Sequence, residues 1–186
     1  HNLTDLLYDE EFAWSEGFSN YFQSAVRSSI GAPNADWYID WAVPTTMGAV
    51  ADIENWDLNV PTRASRFNEI AIAALFWDLN DSAIDRQDRV SHGPAMIQEV
   101  YTDDEFNDQW FDEECSVNEF FRAWQALDKP ADADTAAVIA QNTGVANPFT
   151  VVSAEAGNTQ SDYTLFATNT TGNASNYQWW KHLILV

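Results

Sequence analysis

The sequence predicts a mainly α fold closed by a short β-strand tail, and three observations predict it. Apolar residues recur at helical spacing near the N-terminus, at Trp14, Phe18, Tyr21/Phe22 and Ala25. Residues 65–79 are apolar on nearly every side, as a central buried helix would be. After Pro148 the pattern changes to short β-prone runs at 149–152, 163–167 and 179–186, separated by Gly, Asn, Ser and Thr. The expected organisation is therefore a helical domain over 1–146 and a β-rich tail over 147–186.

The first helix is expected over 9–28. Asp9, Glu10 and Glu11 suit its N-terminus, where the helix dipole favours negative charge. Glu16, Asn20, Gln23 and Arg27 form a polar stripe beside the apolar one. Gly17 costs about 1 kcal/mol relative to Ala inside a helix, so something is expected to approach the backbone there. Residues 31–63 read as irregular, broken by Gly31, Pro33, Pro44, Gly48 and Pro61, with Trp37, Tyr38, Trp41 and Trp56 pinning the segment to the body. The central helix follows at 65–79, with Glu69 near its first turn. Further helices are expected at 93–100, 103–110, 117–127 and 132–142, the last stopped by Gly144.

Composition narrows the function. The 186 residues suffice for one well-packed domain with a small appended module, and 46% hydrophobic content argues for a globular fold. The formal charge of −21 repels nucleic-acid phosphates and anionic membranes, so neither is an expected partner. The longest apolar run, 70–77, is far shorter than the roughly 20 residues that span a bilayer. Such acidity suits a salty habitat or an extracellular setting, and the expected location is secreted or extracellular. Cys115 is the lone cysteine, which excludes an internal disulfide; its acidic neighbours Asp112, Glu113 and Glu114 disfavour a reactive thiolate.

The segment Trp14-Ser15-Glu16-Gly17-Phe18-Ser19-Asn20-Tyr21-Phe22 carries the most specific signal. A helical carboxylate beside a glycine can serve as the third protein ligand of a zinc ion. Trp14, Glu16, Gly17, Phe18, Tyr21 and Phe22 match the third-ligand helix of the glutamate-zincin metallopeptidases, with Ser19 where Ala is commoner. The chain thus resembles the C-terminal portion of such an enzyme over about nine residues here. A second stretch, Asn68-Glu69-Ile70-Ala71 through Leu75-Phe76-Trp77-Asp78-Leu79, looks like another helix of the secreted members. His1-Asn2-Leu3-Thr4-Asp5-Leu6-Leu7 looks like the segment after the second zinc histidine in the fungalysin type, at a shorter spacing to Glu16 than in the best-known families.

The resemblance implies that Glu16 and His1 ligate zinc, that Glu69 and Asn20 orient those ligands, and that the substrate is a protein or peptide. No His-Glu-x-x-His occurs in the 186 residues. The general base is therefore expected upstream of His1, and the isolated chain is expected to be inactive. Two other readings stay open. One is a non-catalytic secreted acidic binding or assembly module, its β tail pairing with another chain edge to edge. The other is a copper site at an N-terminal His1, completed by His92 or His182. A calcium site among Asp78, Asp81, Asp85 and Asp88 is an alternative to a solvated acidic face. An EF-hand is excluded, since Ala83 stands where the loop requires Gly and Arg89 where it requires Glu.

Overall fold

A computed structural model describes residues 3, 5–7, 9–43, 46–60, 62–83, 88–107, 115–145 and 149, with backbone alone for 40–43, 46–49, 105 and 107. The chain divides into the units His1–Phe149 and Thr150–Val186, and every described residue belongs to the first. The strands expected at 163–167 and 179–186, and all but Phe149 of the one at 149–152, lie outside the described residues.

The described part is mainly helical, with six helices and one two-stranded sheet. Helix α1 spans Glu10–Ser29. Asp9 caps it by accepting a hydrogen bond from the Phe12 amide at 2.6 Å, which satisfies one of the orphan donors of the first turn. Its buried face is Ala13, Trp14, Gly17, Phe18, Asn20, Tyr21 and Ser24; Trp14, Phe18 and Tyr21 lie on it as their spacing predicts, whereas Phe22 is exposed, Ala25 is half-buried, and Asn20, expected on the polar stripe, is buried.

Helix α2 spans Glu69–Asn80, and each residue from Glu69 to Leu79 is buried. It is the central helix expected from the sequence, but it begins at Glu69 instead of residue 65. Ser65 closes a turn in which the Asn68 amide donates to the Ser65 carbonyl, and Asn68 then caps the helix by accepting from Ala71 N at 2.9 Å. An asparagine side chain in extended backbone is the better start signal.

Between these helices, 37–52 corrects the irregular reading. Strands β1, Trp37–Val43, and β2, Thr46–Asp52, form an antiparallel hairpin. The breakers misled because they fall where a hairpin tolerates them. Pro44 lies between the two strands, and Gly48 is skipped where Asp40 pairs with Ala49 while Trp41 pairs with Met47. A glycine at a bulge weakens nothing that the ladder uses. The aromatic and β-branched content of β1 favours extended backbone. The hairpin leans on α1 through the supposed polar stripe. Gln23 donates to the Ile39 carbonyl and accepts from the Ile39 amide at 3.2 and 3.1 Å, as a neighbouring strand would. Arg27 donates to the Trp37 and Pro33 carbonyls. Trp56 is buried and donates its indole N–H to the Arg63 carbonyl, and Tyr38 packs partly buried against the core, whereas Trp37 is among the exposed large hydrophobic residues. The Trp41 side chain lies outside the described residues.

The remaining helices are α3, Pro94–Thr102; α4, Asp104–Asn107; α5, Val117–Ala126; and α6, Ala133–Thr143. Ser116 and Asp132 cap α5 and α6 through their side chains, and Gly144 ends α6 in left-handed backbone at φ 70°. The core is aromatic. Trp14, Phe18 and Phe120 surround Phe76 of α2 with centroid separations of 5.1 Å each, at edge-on angles that aromatic quadrupoles favour. No described helix is long and apolar enough to cross a membrane.

Candidate functional site

Two of the residues singled out for zinc chemistry flank the crossing of α1 over the N-terminal end of α2: Glu16 precedes Gly17 on α1, and Glu69 begins α2. The approach expected at Gly17 is made by α2 itself. A Cβ added there would lie 2.5 Å from the Glu69 carbonyl oxygen and 2.5 Å from Ile72 Cβ, so only glycine permits this crossing. Glu16 is thereby held beside the first turn of α2, half-buried on α1. Glu69 is buried, at 3% exposure. Asn20 lies one turn on from Glu16, the spacing at which helical side chains become neighbours. It is buried, and its Nδ2 has no hydrogen-bond partner. An orphan buried donor of this kind suits an acceptor such as a carboxylate oxygen.

The segment following His1 is tied to the same place. Asn68 donates through Nδ2 to the carbonyls of Leu3 and Asp5 at 3.0 and 3.1 Å, while its Oδ1 caps α2. Leu7 N donates to the Phe67 carbonyl at 2.8 Å, and Arg66 pairs with Glu10 at 3.2 Å. Asn68 is fully buried and spends donors and acceptor on three backbone groups. Sequence reasoning passed over it as part of a motif. The one available signal was an asparagine immediately before a buried helix. His1 itself lies outside the described residues.

The acids considered for calcium differ from the expected solvated face. Asp78, in the last turn of α2, and Asp88, in the stretch that follows the helix, are 4% and 2% exposed. Asp78 accepts from Asn142 Nδ2 at 2.7 Å and Gln141 Nε2 at 3.3 Å. Asp81 is half-buried, Asp85 lies outside the described residues, and Glu54, unnoticed in the sequence, joins them.

His92 is engaged structurally. Its Nε2 is 3.0 Å from Thr135 Oγ1, and its ring meets Trp124 edge-on at 5.2 Å. Burial lowers its pKa, against the opposing charge of Asp132. His182 lies outside the described residues. Burial, with Glu119 and Glu11 adding to it, pushes the Cys115 thiol up to about 11, far from nucleophilic. Among the described residues, no three His, Cys, Asp or Glu side chains come together as a metal-binding group. No known protein family, curated protein or solved structure matches the chain.

Proposed function

We propose that this chain is the third-ligand portion of a secreted zinc metallopeptidase of the glutamate-zincin kind, acting on proteins or peptides. The observation that carries this reading is the Gly17–Glu69 crossing. The two stretches that resemble the family, one on α1 and one on α2, are in contact there, and the backbone of Leu3, Asp5 and Leu7 is bonded to residues 67–68 beside them. Glu16 would present its carboxylate to zinc from a rigid helix, with His1 as the preceding ligand. Asn20, with its orphan donor, and the buried Glu69 would orient Glu16, since groups behind a ligand set its direction and basicity. Zinc, when bound, polarises a scissile carbonyl and acidifies its water. The general base would come from residues upstream of His1.

The test uses the complete natural protein. Its zinc content is measured by metal analysis, and its peptidase activity alongside, before and after Glu16→Ala. Loss of zinc and activity together is expected. Retention of stoichiometric zinc in Glu16→Ala sinks the assignment. Glu69→Gln should weaken zinc affinity by about 10–100-fold.

A second reading, a non-catalytic acidic binding or assembly module outside the cell, is favoured by one surface. Phe22, Val26 and Ile30 form an exposed apolar stripe along the C-terminal half of α1. Under that reading, metal has no influence and substitutions along the stripe abolish partner binding.

A further inference from the structure

The outer face of α1 carries a second period. Ser15, Ser19, Phe22, Val26 and Ser29 are all exposed, and they recur at intervals of four, three, four and three residues. The half-buried Phe12 precedes them in the same alternation. Alternating intervals of three and four line one seam of a paired helix. The seam lies away from α2, because the residues that pack inward, Trp14, Gly17, Phe18 and Tyr21, occupy the opposite face.

The composition of the seam says what covers it. The chain has 29 acidic residues and a formal charge of −21, yet none of these positions is charged. A basic partner would be recognised by carboxylates, which the seam lacks. A partner as acidic as this chain can approach only where neither side presents a charge. The side-chain sizes point the same way. With two copies of α1 set antiparallel about a point between Asn20 and Tyr21, each layer places a serine against a large apolar residue: Ser19 against Phe22, Ser15 against Val26, and Ser29 against Phe12. A parallel pair would instead stack Phe22 on Phe22 and serine on serine, crowding one layer and leaving others unfilled. The serines can be covered at little cost. Ser19 Oγ donates to the Ser15 carbonyl at 2.8 Å and Ser29 Oγ to the Val26 carbonyl at 2.7 Å, so neither hydroxyl loses its partner when water leaves.

We propose that the outer face of α1 is a two-fold interface for a second copy of this chain, helix antiparallel to helix, with Phe22 and Val26 of each copy seated on the serines of the other. A seam of about five turns buries less than a standard interface, so the dimer is weak and reversible. The proposal goes beyond both functional readings and depends on neither, since the seam lies on the side of α1 away from the Gly17–Glu69 crossing.

The experiment is sedimentation equilibrium of the full chain at concentrations reaching about 1 mM, at low and high salt, with and without a metal chelator. A monomer–dimer equilibrium is expected. Salt should tighten it, because screening relieves the repulsion between two copies of charge −21, and the chelator should leave it unchanged. Val26→Glu buries a charge in the seam and Ser19→Phe crowds Phe22. Each lies at an exposed position, so the fold is expected to persist by circular dichroism while association weakens by about tenfold or more. Air oxidation of a mixture of Ser19→Cys and Phe22→Cys chains should join one variant to the other in preference to either like-with-like product. A chain that stays monomeric at every concentration overturns the proposal. So does a dimer that both substitutions leave intact, one that the chelator dissolves, or a preference for like-with-like disulfides. A monomer whose stability falls with Val26→Glu would give the seam to another segment of the same chain, and overturns the proposal as well.

Discussion

Gly17 shows how one missing methyl group sets the geometry of the candidate site. The Cβ of an alanine there would stand 2.5 Å from both a carbonyl oxygen and a side-chain carbon of α2, and the carbonyl belongs to backbone that cannot swing aside. Gly17→Ala gains about 1 kcal/mol of helix propensity but forces the helices apart. Overpacking typically costs about 1–3 kcal/mol, and contact with fixed backbone puts this case at the upper end, so a net loss of about 1–2 kcal/mol is expected from urea unfolding. A variant as stable as the parent would mean that α1 and α2 can separate freely. The same residue marks a limit of sequence reading. A glycine inside a helix announces a close approach, but whether a ligand or a helix approaches is decided by residues 50 positions or more away in the chain.

At the scale of elements, Asn68 joins three of them. Its side chain caps α2 and holds the Leu3 and Asp5 carbonyls. Asn68→Ala removes the cap, worth about 1 kcal/mol, and two part-buried hydrogen bonds to carbonyls, at about 0.5–1.5 kcal/mol each. Asn68→Asp keeps the cap but sets a fully buried carboxylate oxygen against the two carbonyls, so differential scanning calorimetry at neutral pH should rank it below the alanine variant. An Asn68→Asp variant as stable as the parent would show that the tether to the N-terminal segment contributes nothing. Helices were legible because each declares itself locally: α1 by its aromatic period and Asp9, α6 by Asp132 and Gly144. The hairpin was not, because its evidence is a pairing. Pro44 and Gly48 look like interruptions until Asp40 and Ala49 are seen opposite one another, and Gln23 reads as surface polarity until Ile39 is seen beside it. Likewise Glu16 and Glu69 could be picked out from short motifs, whereas Asn68 and Glu54 act through partners distant in sequence.

For the whole molecule, two half-buried groups, His92 and Asp81, make stability depend on pH in opposite senses. His92 binds a proton less readily when folded, chiefly through burial, so its contribution is complete above the ordinary imidazole value of 6.5 and is lost as pH falls below it. Asp132, its neighbour, is held below its usual value by the Thr135 amide and hydroxyl, and its contribution is lost only at still lower pH. Asp81, pushed from 3.8 up to about 8, acts in the opposite sense: its contribution falls as pH rises from the ordinary aspartate value toward about 8. The fall in thermal stability as pH rises from 6.5 to about 8 should therefore be reduced by Asp81→Asn, and the loss as pH drops below 6.5 by His92→Gln. Variant profiles parallel to the parent's would contradict these assignments. The sequence by itself determined the mainly helical class, the position of the central helix and the strongly acidic character, because period, capping and composition act within a few residues or over the whole chain at once. The tertiary structure alone decided that α2 is what Gly17 accommodates, that 37–52 pairs as a hairpin against α1, and that Glu54 meets the Trp77 indole. Each of these depends on backbone or carboxyl groups brought together across the fold, and neither a hydrogen-bond partner nor a desolvated charge is visible in the residues that surround it along the chain.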